Sequence, residues 1–239
     1  MALYIFSDAH LGSMDKDKEI EKLSKIASLF EKVKVDGDRL VILGDLFDFW
    51  FEYKHAIPKE HHEVLFMLTD LMRRGIRIDY VSGNHDFWLG DFFSEHMGIR
   101  VYRDSFDCNY EGKRLHFVHG DGLAKADRGY RFLKRVLRNP VNIWLYRKLP
   151  PDWAIPLAKF VSGTSRKHTS HREYTFAPDY EMYARSKLAD GFDIVAIGHL
   201  HLPVLKKFDD GHYVNTGDFI EHFSFARLAD GDLSLEFIE

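Results

Sequence analysis

Aspartate, histidine and asparagine recur in five short groups: Asp8-x-His10, Gly44-Asp45-x-x-Asp48, Gly83-Asn84-His85-Asp86, His119-Gly120-Asp121 and Gly198-His199-x-His201. From them a set of seven candidate donors can be drawn: the carboxylates Asp8 and Asp45, the imidazoles His10, His119, His199 and His201, and the amide oxygen of Asn84. Seven such donors exceed what one tetrahedral ion needs and suit two ions sharing a bridging carboxylate. The absence of thiolates argues against a structural zinc site, and the donor mix fits Mn, Fe, Co or Zn. Two ions about 3.5–4 Å apart can polarise a phosphoryl oxygen and supply a metal-bound hydroxide for in-line attack on phosphorus, although such pairs also serve aminopeptidases. A lone Asp-x-His is more often a turn cap than a ligand pair, and Gly-Asn-His-Asp alone could be a tight turn. Five groups, each just after a strand-like run, are not explained that way.

Those runs are the elements that must position the groups. Leu3–Phe6, Arg39–Leu43, Arg77–Val81, Arg114–Val118 and Asp193–Ile197 are short, apolar and rich in β-branched or aromatic residues, and read as buried strands. Ligands in open α/β sheets bind outside the carboxyl ends of strands, so five strands are expected to deliver Asp, His and Asn to one edge. Asp8 and His10 are two apart, as are His199 and His201, so an extended backbone would point each pair to one side. Glycine stands beside four of the groups, where the backbone must turn sharply or approach something closely. Between the first two strands Ile20, Leu23, Ile26, Phe30 and Val33 recur at helical spacing; between the next two, Pro58 can open a helix and Gly75 close it. Asp210-Gly211 and Asp230-Gly231 read as hairpin turns in an antiparallel C-terminal part. The result is an α/β chain with either one mixed sheet or two packed sheets flanked by helices.

The chain has 239 residues, 45% hydrophobic and 29% charged, which suits one folded domain over residues 1–239 and excludes a disordered chain. No apolar run approaches the about 20 residues of a transmembrane helix. The start, Met1 to Phe6, has no basic n-region or cleavage site, so no secretory signal is expected. One cysteine, Cys108, excludes an intramolecular disulfide and suits a reducing compartment. The net charge of −4 hides a split: residues 128 to 172 carry eleven Lys/Arg and one acid, Asp152. That local excess suggests an anionic partner such as phosphate, nucleic acid or a membrane surface, against a simple solvated face. Here Phe132, Leu133, Val136 and Leu137 fall at helical spacing among Arg128, Arg131, Lys134, Arg135 and Arg138, while Pro140, Pro150-Pro151 and Pro156 are expected to divide the stretch into short helices. Basic residues with Trp144, Tyr146 and Trp153 fit a lipid headgroup boundary; a helical cap packed on the core is the plainer reading, and a lid could be both. The Trp, Leu and Ile content resembles a hydrophobic cap more than a stacking groove for single strands, so no nucleic-acid partner is expected.

Taken in order, the five groups resemble the motifs of the calcineurin-like metallophosphoesterase superfamily, from Asp8 to His201. The resemblance implies an α+β-like four-layer sandwich: two packed mixed β-sheets flanked by helices, with metals at the carboxyl ends of strands and a helical lid inserted at about 127–172. It implies one metal on Asp8, His10, Asp45 and His201, a second on Asp45, Asn84, His119 and His199, and a bridging Asp45. His85 matches the histidine that contacts the phosphate and protonates the leaving group; Asp48 matches a position that orients an imidazole, and Asp86 is expected to hold His85.

The insertion is similar to that of the UDP-2,3-diacylglucosamine hydrolases of lipid A biosynthesis, through Asp127-Arg128-Gly129-Tyr130 after His-Gly-Asp and the polar run Ser165 to Arg172. Those enzymes use manganese at the cytoplasmic membrane face to release UMP and 2,3-diacylglucosamine 1-phosphate (lipid X). The resemblance implies a peripheral, cytoplasmic enzyme with two divalent ions, Mn2+ foremost, in which Asp127, Ser165, Thr169 and Arg172 join Asn84, His85 and His199 around an acylated nucleotide-sugar. Arg172 stands where the family commonly has Lys, and His85 where some members have Arg. The alternatives are another metallophosphoesterase (a phosphodiesterase, protein phosphatase or nuclease) or a non-catalytic scaffold of the same fold.

Overall fold

The computed structural model describes residues 1–124, 128–158 and 173–239. Two β-sheets lie face to face. The first has the order β11-β10-β1-β2-β3-β4, where β1 is Ala2–Phe6, β2 Gly37–Ile42, β3 Arg77–Val81, β4 Arg100–Tyr102, β10 Ser224–Ala229 and β11 Asp232–Phe237. The second has the order β5-β6-β7-β9-β8, from Ser105–Tyr110, Lys113–Val118, Ile194–Ile197, Gly211–Thr216 and Pro203–Phe208 respectively. β1 to β4 are parallel, as are β6, β7 and β9, and antiparallel strands complete each sheet.

Side-chain alternation explains the layering. Leu3, Ile5, Val41 and Val81 meet Leu115, Phe117, Ile194 and Ala196 between the sheets. The opposite face of the first sheet (Tyr4, Phe6, Ile42, Tyr80) packs on Ile26, Phe30, Leu68 and Leu71 of helices α1 (Lys16–Asp36) and α2 (His62–Arg73). Val195, Ile197 and Tyr213 of the second sheet pack on Tyr180, Ala184 and Leu188 of the long helix Glu173–Ala189. The result is the four-layer helix–sheet–sheet–helix sandwich that the motifs implied. α1 is started by Asp15, whose side chain accepts from the Lys18 N–H, and by Asp17 and Glu19 in its first turn. Ile20 departs from the expected apolar stripe: it is exposed, because the stripe reaches the sheet only from Leu23 onward. α2 follows a short 3-10 turn at Lys59–His61 and ends at Gly75 with φ +85°, as the Pro58 and Gly75 signals indicated.

The strand reading needs one correction. The five motif-bearing strands are β1, β2, β3, β6 and β7, and they belong to two sheets rather than one edge of one. Both expected hairpins form, but β8–β9 joins the second sheet while β10–β11 returns to the first beside β1. Between β6 and β7, α3 is Arg128–Leu137 and α4 is Pro140–Tyr146; the Asn139 side chain caps α4 by accepting from Val141 N–H. Residues 151–158 are also helical, so Pro156 falls inside a helix instead of ending one. Among the described residues no helix is long and apolar enough to cross a membrane.

Candidate metal centre

The candidate ligands stand on loops at the carboxyl ends of β1, β2, β3, β6 and β7, where the two sheets meet. Asp8, His10, Asp45, His199 and His201 all have positive φ, between 43° and 67°. The extended-backbone argument for the Asp8/His10 and His199/His201 pairs is therefore replaced: left-handed turns, not strand alternation, bring each pair together. Such conformations cost of order 1–3 kcal/mol for a non-glycine residue and persist only where the surroundings impose them. Backbone bonds do so here: Asp8 N–H donates to Gly44 O at 3.1 Å, His10 N–H to Asp45 O at 2.9 Å, and Gly198 N–H to His119 O at 3.0 Å. Gly44 (φ +84°) is obligatory for the same reason, since a β-carbon there would lie 2.6 Å from Gly83 N and 2.8 Å from His119 Nδ1.

The side chains form two groups. In one, His201 Nε2 is 3.4 Å and His10 Nε2 3.7 Å from Asp8 Oδ1, and the two imidazole nitrogens are 3.3 Å apart. In the other, His119 Nε2 is 3.1 Å from Asn84 Oδ1 and 3.2 Å from His199 Nδ1. A single oxygen, Asp45 Oδ2, lies 3.4 Å from His119 Nε2 and 3.7 Å from His10 Nε2, and so faces both groups. Asp8/His10/His201 and Asp45/His119/His199 each present donor atoms within 4.8 Å of one another.

This donor set fits divalent cations. Asp8 Oδ1, which faces the imidazoles of His10 and His201, is buried without a hydrogen-bond partner, which is costly unless something else satisfies it. The ring nitrogens of His10 and His201 face one another across 3.3 Å with Asp8 beside them, an arrangement suited to sharing a cation. His119 donates its Nδ1–H to Leu43 O at 2.6 Å, which fixes its tautomer and leaves Nε2 directed at Asp45. The electrostatics agree. Burial alone would raise the carboxyls of Asp8 and Asp45, but the surrounding imidazoles hold both well below the ordinary carboxylate range. His119 resists the lowering effect of burial because Asp45 lies beside it, and is pushed up to about 10. Burial lowers His10 and His199 to about 4.

His85 lies next to the first group, its ring 4.6 Å from that of His10. Its Nδ1–H donates to Asp48 O at 2.9 Å, and the Asp48 carboxylate is 3.5 Å from the same nitrogen. Asp48 Oδ1 is also 3.9 Å from His10 Nδ1, so one carboxylate addresses two imidazoles. Asp86 does not hold His85. It accepts from Gly83 N–H (2.7 Å), Leu46 N–H (2.9 Å) and Tyr80 OH, tying the Asn84 loop to the Asp45 loop. Of the expected substrate-contacting residues, Asn84, His85 and His199 are at the centre, whereas Asp127, Ser165, Thr169 and Arg172 lie outside the described residues.

Beside the centre opens a cavity of about 450 Å³, lined by Asn84, His85, Phe49, Phe51 and Trp88 on the core side and by Leu133, Val136, Leu137, Ile143, Tyr146 and Leu157 from the helices after β6. The core-side aromatics were not anticipated. Their signal was present: Phe49 and Phe51 follow Asp48 directly, and Phe87-Trp88 follows Asp86.

A profile of the calcineurin-like phosphoesterases matches residues 1–203. The chain belongs to that family. It is accordingly a hydrolase of phosphoesterase type, and the family's need for divalent metal matches the two donor groups described above. Among curated relatives, a UDP-2,3-diacylglucosamine hydrolase of Porphyromonas gingivalis is 29% identical, with 99% of this chain and 97% of the relative covered. One of Nitrosococcus oceani is 31% identical over 89% and 84%. Among solved structures, an archaeal phosphodiesterase superposes with a TM-score of 0.51 at 13% identity over 99% of each chain. The E. coli phosphoesterase YfcE superposes at 0.50 and 19% identity, over 100% of this chain and 94% of its own. At these identities the structural likeness concerns the fold.

Proposed function

We propose that this phosphoesterase hydrolyses the pyrophosphate of UDP-2,3-diacylglucosamine to UMP and 2,3-diacylglucosamine 1-phosphate, with two manganese ions held by Asp8, His10, Asp45 and His201 and by Asp45, Asn84, His119 and His199. One observation carries the reading: the apolar cavity shares Asn84 and His85 with the donor cluster, so a molecule bound at the phosphorus site has an apolar slot within reach. Burying an acyl chain contributes about 0.8 kcal/mol per methylene, enough for the slot to select a lipid over a bare nucleotide-sugar. The names of the Porphyromonas and Nitrosococcus relatives support the same substrate.

The ions would neutralise the diphosphate and activate a water for attack at phosphorus. The protein's own groups do the rest. Asp45 holds the two donor groups together. Asn84 directs Oδ1 toward His119 and leaves its amide nitrogen for a phosphoryl oxygen. His85 keeps Nδ1–H on Asp48 O, so Nε2 is the atom that gives its proton to the departing phosphate. Burial tends to lower its pKa, but Asp45 and Asp48 carry it above the ordinary histidine value, as a proton donor at neutral pH requires. Asp127, Ser165, Thr169 and Arg172 complete the proposed contacts to the glucosamine, acyl and phosphate parts.

Trp144 and Trp153, both exposed and close in sequence to Arg147 and Lys148, support attachment of the lid to the cytoplasmic face of an anionic bilayer, where the lipid substrate resides. The test compares hydrolysis of the diacylated nucleotide, a bis-ester dye and single-stranded DNA by the manganese-loaded protein, with products identified by mass. Release of UMP and the diacylated sugar phosphate in clear preference to the other two is expected. A preference for DNA or the dye would assign the chain to another branch of the family.

A further inference from the structure

One carboxylate on the His119 loop gathers three side chains from the lid. Asp121 Oδ2 accepts from Tyr130 OH at 2.7 Å and Arg138 Nη2 at 3.0 Å, and lies 2.8 Å from Lys134 Nζ; Lys134 also donates to Asp121 O at 3.0 Å. Asp121, Arg138 and Lys134 are 7%, 14% and 25% exposed, so these contacts are shielded from water and salt. Arg138 does more than join Asp121. Its guanidinium lies 3.8 Å from the centroid of the Phe87 ring, Nη2 also approaches Gly83 O at 3.4 Å, and Nη1 reaches Asp104 at 3.4 Å. Immediately before it, Leu137 O accepts from Trp88 Nε1 at 3.3 Å.

The end of α3 is therefore fastened on two sides: to the loop that carries His119 and to the loop that carries Asn84 and His85. Leu133, Val136 and Leu137, on the same helix, form a wall of the apolar cavity. A planar fork can make several contacts in fixed directions at once; an ammonium on a flexible stem cannot. We propose that Arg138 is a positioning residue for substrate selection: by gripping Asp121 and the Gly83–Phe87 loop together, it sets the distance between the metal centre and the lid wall, so that only substrates whose apolar part reaches that wall are bound well. The inference rests on the acylated-substrate reading given above.

The experiment measures kcat and KM for UDP-2,3-diacylglucosamine and for a UDP-sugar without long acyl chains, in the wild type, Arg138→Gln and Arg138→Lys, with bound manganese counted in each. Arg138→Gln is expected to raise KM for the diacylated substrate at least tenfold, leave the acyl-free sugar within about twofold, and retain the wild-type metal content. Arg138→Lys, which keeps the charge but not the fork, is expected to fall between and serves if the glutamine variant folds poorly. Equal loss on both substrates, or unchanged discrimination in both variants, would overturn the role of Arg138. A wild type that does not itself prefer the diacylated substrate would instead overturn the acylated-substrate reading.

Discussion

Gly83 lies hard against Asp45: a β-carbon at position 83 would overlap Asp45 Oδ1 and stand 2.6 Å from the Asp45 backbone nitrogen. The proposed bridging carboxylate is thus placed by the absence of a side chain on the neighbouring loop. Gly83→Ala must displace Asp45 or the loop, and overpacking of this kind costs about 1–3 kcal/mol. The variant is expected to melt below the wild type and to bind less than its metal complement, as read by calorimetry and metal analysis.

Asp45 itself faces both donor groups, so Asp45→Ala is expected to abolish stable binding of two ions and to remove turnover. Binding of both ions with wild-type activity in that variant would refute the bridge. Asp8→Ala is expected to spare the His119/His199 group, so a single residual site is the contrasting outcome in metal titrations.

His119 predicts a proton count. With its pKa pushed up to about 10 in the metal-free protein, it carries a proton at pH 8 that must leave before Nε2 can bind a cation. Manganese binding at pH 8 is therefore expected to release close to one proton from this group, measurable as the dependence of binding heat on buffer ionisation. No buffer dependence would show that Nε2 of His119 already lacks a proton at pH 8 before the ion binds.

The same groups set the pH dependence of metal-free stability. His119 is raised in the fold, so its contribution is full below its unfolded value near 6.5 and is lost as pH rises toward about 10. His10 and His199 are lowered to about 4, so the unfolded chain binds more protons between about 4 and 6.5 and their contribution is lost as pH falls through that window. Chelator-treated protein is expected to be most stable near neutrality and to lose melting temperature on both sides. A plateau from pH 5 to 9 would contradict this assignment of charge.

His85→Gln removes the proposed proton donor while leaving the seven proposed ligands in place. It is expected to retain two ions and to lose about 10²- to 10⁴-fold in kcat, the range that general acid catalysis supplies. A much smaller loss for a substrate with an acidic leaving group, such as a nitrophenyl ester, would be the signature of that role.

Much of the site was legible in the sequence because its chemistry is concentrated in short spacings. Each of the five motifs lies at the end of a strand that the apolar runs located, and Asp45, Asn84 and His119 come together although 39 and 35 residues separate them in the chain. What failed was local geometry. Alternating apolar residues reveal that β1 and β7 have two buried faces, but not that they lie in different sheets, because pairing is decided by contacts across the whole fold. The left-handed turns at Asp8 and His199 are imposed by hydrogen bonds to Gly44 O and from His199 N–H to Asp8 Oδ2; Asp and His tolerate such turns better than most residues but do not dictate them. Asp86 escapes the sequence for a similar reason: being adjacent to His85 places its carboxylate on the other side of the loop, toward Tyr80 and Leu46.

The division of the donors between sheets has a mechanical consequence. Asp8, Asp45 and Asn84 follow strands of one sheet, and His119, His199 and His201 follow strands of the other. Cations shared among them would act as rivets through the sandwich, so scarcity of metal would slacken the seam between its two halves as well as silence the chemistry. The two layers would then exchange their amide hydrogens faster in concert, starting from the end where the strands stop.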